Sequence, residues 1–298
     1  MSQACSISRE TIYGLQRVCR VWNWPRSTVY EHRKRRINPH TPQRPGPQGP
    51  CSDEALVEHI RTVLQESPFH GEGYRKVWAR LRFKGIRTSK ERTRRLMREY
   101  GLQAPQRMGS RHGPKAHDGT INTSRPDEIW GTDMTTTVTT KEGKAAVFVA
   151  VDHFTGECVG IHASKHQTRF EALEPIRQGA HDCFGDFAQG IAAGLNIRHD
   201  HGSQYMADDF QGEISFLGMI SSPSFVREPE GNGCAERFIR TLKENLLWVR
   251  TFETAEDLRL AVLEFKKSYN EQWIIQRLGY QTPAQARRNA CKPKEKAA

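Results

Sequence analysis

Three carboxylates stand out in this chain by position rather than by type. Asp133 lies in the stretch WGTDMT, Asp200 in IRHDHGSQYM and Glu236 in GNGCAERFIRTLKEN, with 66 residues between the first two and 35 between the second and third. Gathered at one place, three acids could hold two Mg2+ ions about 3.5–4 Å apart, which activate an attacking oxygen and stabilise a leaving one in phosphodiester cleavage. Mg2+ takes a few carboxylates and fills its remaining positions with water and phosphate oxygens, so three acids leave room for DNA. Without metal the same acids would repel one another by roughly 4 kcal/mol per pair at ~4 Å and an effective dielectric near 20. That repulsion raises their pKa values, and bound cations reverse it.

Other chemistries fit less well. His199 and His201 flank Asp200, and His162 and His166 stand four apart. Zinc wants three or four N/S ligands at suitable spacing, which these pairs do not supply, so they read as hydrogen-bonded side chains or DNA contacts. Asp152 reads as a turn residue before Thr155-Gly156, and Cys234, with no His–acid partnership of its own, as a packing residue. Trp130 and Trp248 read as core.

The elements that must position the acids follow from periodicity. EIWGTDMTTTVT is β-branched and partly alternating, AAVFVAVDHFTG is a continuous apolar run suited to a central strand, and ECVGIHAS follows a Thr-Gly turn; the three suggest an antiparallel meander. A helix over about 169–184, a short strand in GLNIRHD, a helix near 207–217 and a strand in GMISSPSF come next. The loop VREPEGNG then leads to a long helix over 234–249, and Thr254, followed by acids, opens a last helix to Asn270. This order predicts an α/β fold with a mixed five-stranded sheet and flanking helices. Asp133 falls within the first strand, Asp200 just past the fourth, and Glu236 in the first turn of the long helix. Arg240 and Lys243, four and seven residues after Glu236, share its face and could grip a phosphate backbone, or simply pair along the helix. Ile239, Leu242, Leu246 and Val249 take the buried side.

Charge divides the chain of 298 residues. Residues 1–125 hold 25 Lys+Arg and 10 Asp+Glu, net +15, whereas residues 126–298 hold 20 and 24, net −4. The first part is a polyanion-binding candidate through counterion release. Two helix-turn-helix patterns lie within it. In the first, Leu15, Val18, Cys19 and Trp22 give one helix an apolar face, and a basic second helix could present Arg26, Ser27, Thr28, Tyr30 and Arg33 to DNA. In the second, Ser52 caps a helix with Leu56, Ile60, Val63 and Leu64 on one face. A helix with Tyr74, Val77, Trp78 and Leu81 follows, and a third, bearing Arg92 and Arg95, starts at a capping box over Thr88–Glu91 and ends at Gly101. The resulting division is 1–36, a Pro-rich linker 37–51, a helix-turn-helix domain 52–101, a polar linker 102–125, a catalytic core 126–250 and a C-terminal helix and tail 251–298. Seven scattered cysteines without a CxxC pair argue against a disulfide framework and fit a reducing cytosol. No apolar run approaches the ~20 residues of a membrane span, and the N-terminus carries no signal region.

Taken in this order and spacing, WGTDMT, HDHGSQY and NGCAERFIRTLKEN resemble the DDE integrase core of OrfB-type bacterial insertion-sequence transposases, whose catalytic half is similar to retroviral integrase. GEGYRKVWARLRFKGIRTSKERTRRLMREYGLQA resembles the helix-turn-helix preceding that core, and YGLQRVCRVWNWPRSTVYEHR the segment upstream of it. YNEQWIIQRLGYQTPAQAR matches the usual ending, so the resemblance spans about residues 12–288. It implies an RNase H-like sheet, with Asp133, Asp200 and Glu236 as catalytic residues and ligands of Mg2+ (or Mn2+), two ions per site. It also implies cutting at an element's terminal inverted repeats to leave a 3′-OH that attacks another phosphodiester directly. Gln204 and Tyr205 match a stretch where contacts to the DNA end are expected. The implied partners are element and target DNA and further copies of the chain on that DNA, in a cytoplasmic, nucleoid-associated setting without a membrane. No coiled coil is evident, which leaves a role for a polypeptide from an upstream frame. The sequence departs from the family in having His199 where Ser is frequent, and EQWIIQR where Arg-Pro-His-Ser is common after the last helix's Tyr-Asn. A non-catalytic DNA-binding regulator with a decayed core is the alternative, which the intact acid triad disfavours. A general nuclease of the RNase H type fits two helix-turn-helix units less well.

Overall fold

The computed structural model describes residues 3–8, 10–37, 51–105, 123–224 and 232–291. Most of both linkers and of the loop before the long helix therefore lies outside the described residues. The chain forms two compact units, 1–48 and 49–298. In the first, α1 (Gly14–Val21) and α2 (Arg26–Ile37) form a short helical pair in which Cys19 is buried and α2 buries nothing. Trp22, expected on the inner face, is instead 62% exposed, because two helices this short cannot enclose a core of their own. Arg26, Ser27, Thr28, Tyr30 and Arg33 are all exposed on α2.

The second unit begins with α3 (Asp53–Glu66), α4 (Tyr74–Phe83) and α5 (Lys90–Glu99), packed around Leu56, Ile60, Val77, Leu81, Leu96 and Met97. Ser52 caps α3 by accepting from the Ala55 N–H. The start of α5 differs from expectation: Ser89, not Thr88, is the cap and accepts from the Arg92 N–H, so the Thr88–Glu91 box does not form. Thr88 is drawn elsewhere, its carbonyl accepting from the Trp78 indole at 2.8 Å.

The sheet holds β1 (Ile129–Thr139), β2 (Gly143–Asp152), β3 (Cys158–Ser164), β4 (Asn196–His199) and β5 (Ile220–Pro223) in the order β3-β2-β1-β4-β5. The meander β1-β2-β3 is antiparallel, and β4 and β5 add in parallel. Between them run α6 (Arg169–Phe184), α7 (Ser203–Met206) and α8 (Asp208–Phe216). Alternation along β2 sends Val147, Val149 and Val151 into one core and Ala146, Phe148 and Ala150 into the other. The first core is closed by α9 (Gly233–Leu242) and α10 (Ala255–Gln272), the second by α6 and α8. Trp130 is fully buried in the second, as expected.

Trp248 is not core. Past α9 the backbone winds as a π-helix over Lys243–Leu247, which changes the helical phase. Trp248 and Val249 consequently turn outward, 68% and 57% exposed. The chain ends in α11 (Pro283–Ala290), opened by a capping box between Thr282 and Gln285. The helix-turn-helix bundle packs on the core within this unit: Phe69 meets Phe265 and Trp273 edge-on, and the His70 N–H donates to the Asn245 side chain in the π segment at 2.7 Å.

Candidate active site

The parallel pairing of β1 with β4 sets two of the acids side by side. Ile129, Trp130 and Gly131 pair with Asn196, Ile197 and Arg198. Continued by two residues, that register brings Asp133 level with Asp200, and a period of two puts both on the face that Gly131 and Arg198 share. That face looks toward α9, since a methyl group on Gly131 would meet the Asn232 side chain at the start of α9, 2.5 Å from its Oδ1. Glu236 sits in the first turn of α9, with Ala235, Phe238, Ile239 and Leu242 turned to the core. Asp133 thus lies within β1, Asp200 just past β4 and Glu236 in the first turn of α9, the elements in which the sequence places them.

Each aspartate is fixed locally. The Met134 N–H donates to Asp133 Oδ1 at 2.7 Å, and the Gly202 N–H to Asp200 Oδ1 at 2.8 Å. Electrostatics tie the group together. Burial, then the charges of Asp200 and Glu236, push the Asp133 carboxyl up to about 6, against the Met134 N–H and the Lys243 ammonium, which pull it down. Burial also raises Glu236. As they stand, no three His, Cys, Asp or Glu among the described residues are close enough to hold an ion.

Lys243 is therefore within electrostatic reach of the acids, whereas Arg240 is exposed and pairs with Glu244 at 3.0 Å. Gln204 lies beside Asp200: a methyl group on Gly202 would sit 2.6 Å from its amide nitrogen and 2.9 Å from Asp200 Oδ1. Tyr205 must be corrected. It has 0% exposure, stacks on His199 and packs against Phe210, so it supports the strand end from inside and presents nothing to DNA. Arg92 must be corrected as well, for it turns in to Asp53 and to the Cys51 carbonyl, both at 2.8 Å, and ties α5 to the start of α3. Arg95 reaches the same Asp53 but stays exposed.

Three of the four histidines weighed above are hydrogen-bonded through their rings. His199 Nδ1–H donates to the Asp200 carbonyl at 2.7 Å, and its Nε2 accepts from Ser221 at 2.9 Å. His201 donates to the Ser224 carbonyl at 2.7 Å, and His162 meets Glu171 at 2.6 Å. Burial raises Cys234 to about 11, which leaves no thiolate for nucleophilic work. Asp152 is a turn acid, accepting from the Phe154 N–H at 3.1 Å. Sequence reasoning missed Asn232 and His153, which crowd over Gly131. The one available signal was a small residue two before the first acid, a mark of close approach.

Known proteins bear on this arrangement. An HTH-like domain model matches residues 52–108, and two integrase core domain models match 123–229 and 218–283. The chain is 26% identical over 283 residues to the transposase for insertion sequence element IS629 of Shigella sonnei, covering 92% of this chain and 91% of that one. It is 28% identical over 244 residues to the transposase for insertion sequence element IS904 of Lactococcus lactis, covering 77% and 92%. Among solved structures, the HTLV-2 integrase catalytic core domain in complex with magnesium is 21% identical, with TM-score 0.41, covering 55% of this chain and 97% of that one. The simian T-cell lymphotropic virus intasome in complex with PP2A regulatory subunit B56 gamma is 18% identical, with TM-score 0.45, covering 82% and 76%. The sheet with its flanking helices is an RNase H-like integrase core preceded by an HTH-like domain. The chain belongs to the insertion-sequence transposases with a retroviral-integrase-like catalytic core, an enzyme class of polynucleotidyl transferases. No helix among the described residues is long and apolar enough to cross a membrane.

Proposed function

We propose that this protein binds the terminal inverted repeats of a mobile element and catalyses DNA strand cleavage and strand transfer with a 3′-OH nucleophile. Asp133, Asp200 and Glu236 hold Mg2+ (or Mn2+), two ions per site. The observation that carries the reading is the placement of the acids on β1, just past β4 and in the first turn of α9, with Asp133 pushed up to about 6 by burial and by the charges of the other two. The donor set fits such ions: three carboxylates suit a small hard cation. When bound, the ions withdraw charge from the phosphate and make the attacking hydroxyl more acidic.

The protein's own groups do the rest. Lys243 and Gln204 flank the acids and take the phosphate backbone of the reacting end. Asp133, anchored to the Met134 N–H, and Asp200, anchored to the Gly202 N–H, keep their carboxylates from swinging away when no ion is present. In strand transfer one P–O bond forms as one breaks and a proton passes from the entering to the leaving oxygen, so no energy cofactor is needed.

The exposed residues Arg26, Ser27, Thr28, Tyr30 and Arg33, with Arg95, contribute to the grip on DNA, and Arg240 extends it along α9. The domains divide as 1–36, 52–101, 126–250 and 251–298, joined by linkers 37–51 and 102–125. Copies of the chain assemble on DNA, with a polypeptide from an upstream frame as a further partner, and the bound population is nucleoid-associated. Incubating the protein with labelled element ends and Mg2+ tests the reading: 3′-OH nicks and joined products are expected, and end binding without either product would favour the regulator instead. Binding should also weaken steeply with salt, because the basic half releases several counterions, and a flat response would remove that half as the grip.

A further inference from the structure

The start of α9 is held in an unusual way. Asn232 occupies the N-cap position but makes no side-chain bond to the helix it precedes. A cap asparagine ordinarily spends its side chain on the second or third N–H of its own helix. Here the Nδ2–H donates instead to the Thr132 carbonyl at 2.9 Å, in a buried setting. Thr132 immediately precedes Asp133, and Asn232 lies four residues before Glu236. A second tie, from the Cys234 thiol to the Asp152 carbonyl at 3.7 Å, holds the same turn to β2. Gly131 leaves the room: a methyl group there would lie 2.5 Å from Asn232 Oδ1 and 2.8 Å from His153 Nε2. Its φ lies outside the left-handed region, so the demand for glycine comes from this crowding and not from backbone conformation.

We propose that Asn232 is a positioning residue of the active site: its amide clamps the first turn of α9 to the backbone of β1 and so fixes where Glu236 stands relative to Asp133. The inference rests on the reading of Glu236 as a metal ligand. The physical need is plain. Glu236 and Asp133 carry like charges, so nothing in the acids themselves keeps the third ligand near the first two. A hydrogen bond from outside the ligand set does, and such supporting bonds typically carry about 10–100-fold in metal affinity.

The test uses the full chain and Mn2+ alone, with free ion followed by electron paramagnetic resonance, and strand cleavage on labelled ends as a second readout. Asn232→Ala should weaken Mn2+ binding by about 10-fold or more. Cleavage by this variant should return to within a few-fold of the parent at saturating Mn2+, whereas a merely structural defect would depress it at every Mn2+ concentration. Gly131→Ala pushes the same amide from the strand side and should shift the Mn2+ requirement in the same direction. If Asn232→Ala fails to fold, Gly131→Ala decides the matter alone. Unchanged Mn2+ affinity in the variants, while Glu236→Gln binds more weakly, would overturn the clamp and leave the metal site standing. Unchanged affinity in Glu236→Gln itself would overturn both.

Discussion

Asp127, Asp152 and Glu157 gather around the guanidinium of Arg287, whereas among the described residues no guanidinium is hydrogen-bonded to Asp133, Asp200 or Glu236, on neighbouring parts of the same sheet. In the first group Arg287 forks onto Asp127 at 2.6 and 3.0 Å and bonds Glu157, and its charge holds Asp152 down against burial. The Trp130 indole and the Asp127 N–H complete the set, donating to Asp127 and Asp152 at 3.0 and 3.4 Å. In the second group the opposing charge felt at Asp133 comes from Lys243, a single ammonium on a flexible stem. Both groups contain an aspartate raised well above its ordinary 3.8, Asp152 to about 7 and Asp133 to about 6. The raised values alone would not separate them. What separates them is whether an arginine is paired with the acids: the bracing group has one, and the group proposed to hold metal does not.

The largest effects should fall on opposite properties. Asp133→Asn should abolish Mg2+-dependent cleavage, a loss of at least about 1,000-fold if the carboxylate holds the metal, while end binding stays within a few-fold. Undiminished cutting would erase the distinction drawn above. Arg287→Ala should leave the chemistry without its scaffold. Removing one partner from a buried charge set costs about 3–5 kcal/mol. At roughly 2–4 °C per kcal/mol for a unit of this size, thermal melting should fall by about 10 °C. A melting temperature within a degree or two of the parent would show that the arginine braces nothing.

Why one group was foreseen and the other was not follows from the range of the signals. Asp133 and Asp200 sit in short motifs on strands marked by β-branched and apolar runs, and α6 runs over the span its apolar spacing predicts. Arg287 lies 130 residues from Glu157 and 160 from Asp127, and no local pattern announces that pairing. Its helix did carry a local mark, the Thr282-Pro283 start with Gln285, which composition as a tail obscured. Trp248 and Val249 followed from extending a 3.6-residue period through a segment that winds as a π-helix. Tyr205 and Arg92 are alike in another way: their types suit DNA, but tertiary neighbours, His199 with Phe210 and Asp53 with the Cys51 carbonyl, claim them first.

A smaller effect probes the two aspartates directly through pH. For Asp133 the folded value, about 6, exceeds the ordinary 3.8, so the ionised carboxylate weakens the folded state. That penalty is fully present above about pH 6, fades as pH falls through 6 and is gone below about 3.8. Asp133→Asn removes it. In the absence of divalent ions, the variant should therefore melt a few degrees above the parent at pH 8, with the difference vanishing by pH 4. Mg2+ at pH 8 should raise the parent's melting temperature and leave the variant's where it was. Asp152 has the same sign of shift but should not respond in the same way. Its Oδ1 accepts from Phe154 and its Oδ2 faces the Asp127 N–H, so an amide there sets one N–H against another. Asp152→Asn should gain nothing at pH 8, and its melting should be indifferent to Mg2+. Equal stabilisation of the two variants would mean that burial alone governs both carboxylates and that Arg287 makes no difference between them.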